Sequence, residues 1–220
     1  RIFENKGKPS PNFFAAASVY DPDRNVIVAE KNGGGGIWEI GPERNEWIKA
    51  TSESHHEIHF TMAYDTKHKK IAVFGNYRKT NEVWVYKPGL KPGTRGMWEK
   101  KTPDGDKCPK DEHLPVAFDS DNGVFLLIPD NWRFEKDASG KVRWIRPKTS
   151  STFTYDLETN RYRKLPKADR ERLGMNYMMV YDKYHKVFFL VTGNSGKPPV
   201  VWAFRLDMKS LPKSIDIESK

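Results

Sequence analysis

Four stretches of this chain repeat one pattern: an apolar run, an aromatic residue, an aspartate, a polar turn and a second apolar run. They span residues 15–32, 59–76, 113–130 and 176–193. Their aromatic–aspartate pairs are Tyr20-Asp21, Tyr64-Asp65, Phe118-Asp119 and Tyr181-Asp182. A carboxylate at the head of a turn can accept backbone N–H bonds within it, which favours a tight hairpin. The runs that follow, such as Val26-Ile27-Val28 and Ile71-Ala72-Val73-Phe74, are β-branched or aromatic, as buried central strands are.

Each unit continues into a third strand: Ile37-Trp38-Glu39-Ile40, Val83-Trp84-Val85-Tyr86, Thr152-Phe153-Thr154-Tyr155 and Val201-Trp202-Ala203-Phe204. Three units add a fourth, around Trp47, Trp98 and Tyr162. A repeated four-stranded antiparallel unit is the blade of a β-propeller, so the expected fold is all-β with about four blades, at roughly 13–50, 59–101, 113–165 and 176–207. A β-sandwich also uses many short strands, but whole repeating units argue against it. Steps of 44, 54 and 63 residues between the aspartates require insertions, placed at 87–96, 101–112 and 131–150. The last of these can add a small hairpin. Residues 166–174 are expected to form one helical turn, and 208–220 a tail or an extra strand. The last blade lacks an outer strand, which residues 1–6 could supply by pairing the two ends of the chain.

Aromatic residues make up 13% of the chain, which excludes global disorder. The net charge of +9 favours anionic partners without choosing among protein, acidic polysaccharide and nucleic acid, and no nucleic-acid motif accompanies it. Cys108 is the only cysteine, so neither an internal disulfide nor a cysteine-based metal site is available. No apolar run approaches the length of a membrane span. The compartment stays open, an extracellular setting included.

The units resemble kelch-type blades, as found in kelch-repeat proteins and in the central domain of galactose-oxidase-like proteins. The features shared are the aromatic–Asp turn, the apolar strand ending near Gly75-Asn76 or Thr192-Gly193, the Val83-Trp84-Val85-Tyr86 strand and the later Trp98. The resemblance covers residues 13–207 and departs from the family where a double glycine should follow the second strand. It implies a fold rather than an activity, and a ring that usually holds six or seven blades. The copper and tyrosine–cysteine arrangement of galactose oxidase does not carry over, because Cys108 sits in an insertion with no matching partner.

Repetition turns distant positions into neighbours. Six residues before each repeat aspartate stand Ala15, His59, His113 and Asn176. His59 and His113 should therefore face one space from adjacent blades. They could share a divalent metal such as zinc or calcium, with His55 or His56 and Asn176 nearby, or one could act as a general base. The bland alternative is a set of hydrogen bonds closing the channel. His68 and His185 fall in polar turns and are expected at the surface. Trp38, Trp84, Phe153 and Trp202 recur at one blade position and are expected to pack between blades. The insertion at 131–150 carries Trp132, Arg133, Arg143, Trp144 and Arg146, a set that could stack on rings and pair with anions, or could simply pack as a twisted hairpin. Asn176 completes the ligand-binding candidates.

Two functions compete. The leading one is a recognition module for a protein or an acidic polymer, since no complete catalytic set is evident. The other is a polysaccharide lyase acting by β-elimination on a uronate glycan, partly by analogy of architecture. Its cast would be His59, His113, Tyr177 and Arg78, with no resident cofactor required.

Overall fold

The structure is a computed structural model and describes residues 17–31, 34–43, 46–55, 58–75, 82–108, 111–112, 114–130, 133–145, 148–166, 170–171, 177–193 and 198–210. Strands β1 (Ala17–Asp21), β2 (Val26–Glu30), β3 (Ile37–Ile40) and β4 (Ile48–Thr51) form the first antiparallel sheet in chain order. The second holds β5 (Thr61–Asp65), β6 (Lys70–Phe74), β7 (Val83–Lys87) and β8 (Met97–Lys101). After β9 (Asp104–Gly105), the third blade begins with β10 (Val116–Asp119) and β11 (Val124–Leu127). It is then interrupted by a separate hairpin, β12 (Arg133–Lys136) and β13 (Val142–Ile145), and by the short β14 (Thr149–Ser150). It resumes as β15 (Phe153–Asp156) and β16 (Arg161–Lys164), with β9 added in parallel along β16. Following β17 (Arg170–Glu171), strands β18 (Tyr177–Asp182), β19 (Val187–Thr192) and β20 (Val200–Phe204) form the last blade. The four sheets are arranged as the blades of a β-propeller.

The repeat aspartates explain why each hairpin turns where it does. Oδ1 of Asp21, Asp65, Asp119 and Asp182 accepts the backbone N–H groups two and three residues on, at 2.8 to 3.2 Å. The other carboxylate oxygen is held by the side chain three residues on: Arg24 Nε at 2.6 Å, His68 Nδ1 at 2.6 Å, Asn122 Nδ2 at 2.7 Å and His185 Nδ1 at 2.6 Å. The turn then closes through a left-handed residue, Asn25, Lys69, Gly123 or Lys186. His68 and His185 are thus turn clamps; His185 is exposed as expected, whereas His68 is only partly exposed, because it folds back onto the buried Asp65.

Apolar side chains fill the seams between consecutive blades. Val26, Val28 and Ile37 of blade 1 meet Tyr64, Ile71 and Val73 of blade 2. Ala72 and Phe74 of blade 2 meet Phe118 and Phe125 of blade 3. Leu126 and Ile128 of blade 3 meet Phe188 and Leu190 of blade 4. Every blade thus has an incoming face toward the blade before it and an outgoing face toward the next, set by the two-residue alternation of strands. The inner strands pack in succession, β1 on β5, β5 on β10 and β10 on β18. Among the described residues no apolar cluster joins blade 4 to blade 1.

Two expectations need correction here. Arg170–Glu171 is a strand paired antiparallel with β14, where one helical turn was expected over 166–174; the backbone groups of Ser150 supply a sheet partner that an isolated turn lacks. Inter-blade packing holds for Trp84 and Phe153, but Trp202 is 52% exposed and Trp38 lies on the incoming face of blade 1, which no described blade covers. The alignment itself is sound: these four residues pair with Ala29, Val73, Leu127 and Leu190, each eight residues past its repeat aspartate. Residues 1–6, proposed as a closing strand, and 211–220 lie outside the described residues.

Candidate functional site

The two candidate regions meet in blade 3. The first is the end of the propeller where inner strands begin. His59 stands two residues before β5 with a left-handed backbone, φ 58°. Its Nδ1 lies 3.9 Å from Oε2 of Glu112, in the loop that carries the chain into blade 3. The loop is drawn close by Gly75, at φ 74°, where a Cβ would fall 2.6 Å from the Asp111 carbonyl oxygen. His59 therefore faces the segment flanking His113. His113 itself, with His56, Arg78, Trp132, Arg146 and Asn176, lies outside the described residues. Tyr177 is placed by its backbone alone, opening β18 opposite Thr192.

His55 is not a companion of His59. It is buried in the seam between blades 1 and 2, with Nδ1 2.7 Å from both carboxylate oxygens of Glu30 and its own N–H donating to Oε1 at 3.0 Å. Its ring stands edge-on to Phe60 at 4.4 Å and beside Trp98 at 5.5 Å. Burial of Glu30 requires a cationic or donor partner, and His55 supplies it, so its Nδ1 is committed to structure. Among the described residues no group of three or more His, Cys, Asp or Glu side chains is arranged to hold a metal ion.

In the loop that carries Glu112 the structure assembles a carboxylate pair that sequence reasoning missed. Asp111 and Asp130 are both buried, and Oδ2 of Asp111 accepts the Asp130 N–H at 2.7 Å. The Ser150 hydroxyl donates to Oδ1 of Asp130, and the same two residues form an isolated β-bridge. Burial, reinforced by the charge of Asp130, pushes the Asp111 carboxyl up to about 8, against the pull of the Asp130 N–H. The available signal was polarity: Asp130 ends an otherwise apolar strand run, and Asp111 falls in an insertion.

This buried bridge is the base of the second region. From it the β12–β13 hairpin leaves the blade, with Arg133 opposite Ile145, Phe134 opposite Trp144 and Glu135 opposite Arg143. Its tip is closed by Asp137, whose Oδ1 accepts the N–H groups of Ser139 and Lys141 at 2.9 and 3.1 Å. Arg143 Nε donates to Oδ2 of the same residue at 2.9 Å. Lys136 and residues 138–143 are exposed. The segment 131–148 holds six basic residues against two acidic ones.

No protein-family model matches the chain, and no curated protein matches it. Solved structures do. The crystal structure of a nidogen/laminin complex matches with a TM-score of 0.50 and 13% identity, covering 80% of this chain and 56% of that one. A structural genomics protein of unknown function from Bacteroides thetaiotaomicron matches at 0.48 and 12%, covering 86% and 40%. Hydrazine synthase of Kuenenia stuttgartiensis matches at 0.45 and 14%, covering 83% and 45%. The chain spans about half the length of these solved chains. At such identities the likeness concerns the fold alone.

Proposed function

We propose that this chain is a recognition module that engages an acidic protein surface through the β12–β13 hairpin. The observation that carries the reading is the exposed arm on a buried base: residues 138–143 stand in solvent, while Asp130 and Ser150 anchor them in the blade. Binding residues are disproportionately found on loops that a rigid scaffold positions. The excess of Lys and Arg along the arm favours a partner of opposite charge and speeds the encounter. Propellers often bind proteins, and the nidogen/laminin structure of similar fold is itself a complex of two proteins.

The lyase reading rests on His59 facing the segment that flanks His113. The side chain described beside it, Glu112, is a carboxyl group, which repels a uronate polymer when it is ionised. This weighs toward the hairpin.

Polyglutamate serves as the test probe. Binding is expected to weaken as salt rises from low to physiological levels, and to weaken severalfold with Lys141→Glu/Arg143→Glu. Undiminished binding by that variant removes the hairpin from the site. Release of unsaturated uronate from polygalacturonate or alginate, read by ultraviolet absorbance and lost in His59→Ala, would replace the reading with the lyase.

A further inference from the structure

One of the four repeat turns carries an amide where the others carry a guanidinium or an imidazole. The side chain that clamps the repeat aspartate is Arg24, His68 or His185 in blades 1, 2 and 4, and Asn122 in blade 3. The residue after it is Asn25, Lys69 or Lys186 in those blades, and Gly123 in blade 3. An asparagine before a glycine is chemically labile, because no side chain shields the glycine nitrogen from the neighbouring amide carbon. The Gly123 nitrogen, on losing its proton, can attack Cγ of Asn122. The N–Cγ bond forms, the Cγ–Nδ2 bond breaks, and ammonia leaves with the proton. One water then opens the cyclic imide at either carbonyl, giving aspartate or isoaspartate.

In the folded turn Asp119 holds both reacting groups off this path. Its backbone oxygen accepts the Gly123 N–H at 2.8 Å, and its Oδ2 accepts Asn122 Nδ2 at 2.7 Å. Its Oδ1 accepts the Asn122 backbone N–H at 3.0 Å, and Gly123 stands in the left-handed region at φ 70°. Asn122 is exposed, so water reaches it, and hydrogen bonding rather than burial is what protects it. The turn is also tied outward, across the corner to blade 4. Asp121, the residue before Asn122, accepts the Tyr181 hydroxyl on Oδ2 at 2.6 Å, and its Oδ1 lies 3.1 Å from Lys186 Nζ. The labile pair is therefore steadied from two sides, by Asp119 within the turn and by Tyr181 and Lys186 beyond it.

We propose that Asn122 is a latent modification site: the closed turn and its tie to blade 4 hold off deamidation, and opening of that corner permits it, once and irreversibly. An aspartate at 122 puts a second carboxylate where Nδ2 stands, 2.7 Å from Oδ2 of the buried Asp119. Isoaspartate also runs an extra backbone carbon through the turn, between Asp121, which is tied to blade 4, and Gly123, which closes on Asp119. Neither product, when ionised, has a donor to return to Asp119. A transient local opening thus becomes a permanent one.

The test is peptide mapping by mass spectrometry of the purified chain held in mildly alkaline buffer. The amide-to-acid mass change is localised to residue 122 and so kept apart from Asn32-Gly33, the other Asn–Gly step in the sequence. Conversion at 122 is expected to be at least about tenfold slower in the native protein than in the same chain in denaturant. Asp119→Ala, which removes the clamp, should bring the native rate most of the way to the denatured one. Tyr181→Phe keeps the ring on Phe188 and loses only the bond to Asp121, so it should raise the native rate severalfold and leave the rate in denaturant unchanged. Asn122→Asp, which copies one product, should lower the melting temperature by a few degrees at neutral pH. Equal rates in native and denatured protein overturn the proposal, as does a native rate in Tyr181→Phe that matches wild type. A wild-type melting temperature in Asn122→Asp overturns the irreversible step.

Discussion

Asp119→Ala isolates what the repeat aspartate contributes to a blade. The wild-type carboxylate is buried and accepts three bonds: from the N–H groups of Asp121 and Asn122, both at 3.0 Å, and from Asn122 Nδ2 at 2.7 Å. Residues 121 and 122 are exposed, so water can replace part of what is lost. Each bond is then worth roughly 1 kcal/mol, and the substitution should cost about 3 kcal/mol. In a chain of this size that lowers the melting temperature by about 6–12 °C. Asp119→Asn is the informative control. Its Oδ1 still accepts both backbone N–H groups, and a flipped Asn122 amide can offer its oxygen to the new Nδ2, so the loss should stay below about 1 kcal/mol. Asp182→Ala, in a turn open to solvent, should cost less than Asp119→Ala. Urea denaturation of the four proteins, with thermal melts alongside, measures the series. Equal losses for the Ala and Asn variants would show that the acceptor does not hold the turn, and the account of the repeat would be wrong.

The Asp111 carboxyl sets a pH dependence. Its folded value, raised to about 8 from an unfolded value near 4, gives stability that is complete below the unfolded value and drains away as pH rises through about 8. Melting temperature should therefore fall between pH 5 and pH 8, by ~ several degrees, and Asp111→Asn should flatten that slope; an unchanged slope would deny the burial effect. Cys108 is buried in the seam between blades 2 and 3, and burial holds its thiol well above the ordinary range. It should resist a thiol reagent at pH 8 in the native protein and react at once in denaturant; rapid native labelling would contradict that packing.

The sequence alone determined the repeat and, through it, most of the fold. An aspartate before a polar turn and a β-branched run after it are local features, and local bonds fix them: the same Oδ1 takes the same two N–H groups in every blade. The alignment of Trp38, Trp84, Phe153 and Trp202 was legible for the same reason, since strand pairing counts residues from the turn. Tertiary structure decided what counting does not reach. His55 was legible as a histidine near His59, but only the seam shows its ring spent on Glu30, a partner 25 residues away. Asp111 and Asp130 lie in unrelated parts of the pattern, and burial of a loop against a strand end brings them together and perturbs one of them. The faces of blades 1 and 4 carry the same alternation as the interior blades, so their sequence reads as buried. Whether a residue such as Val180 or Tyr20 is covered depends on a neighbouring blade, and that is a property of the assembled surface rather than of the strand.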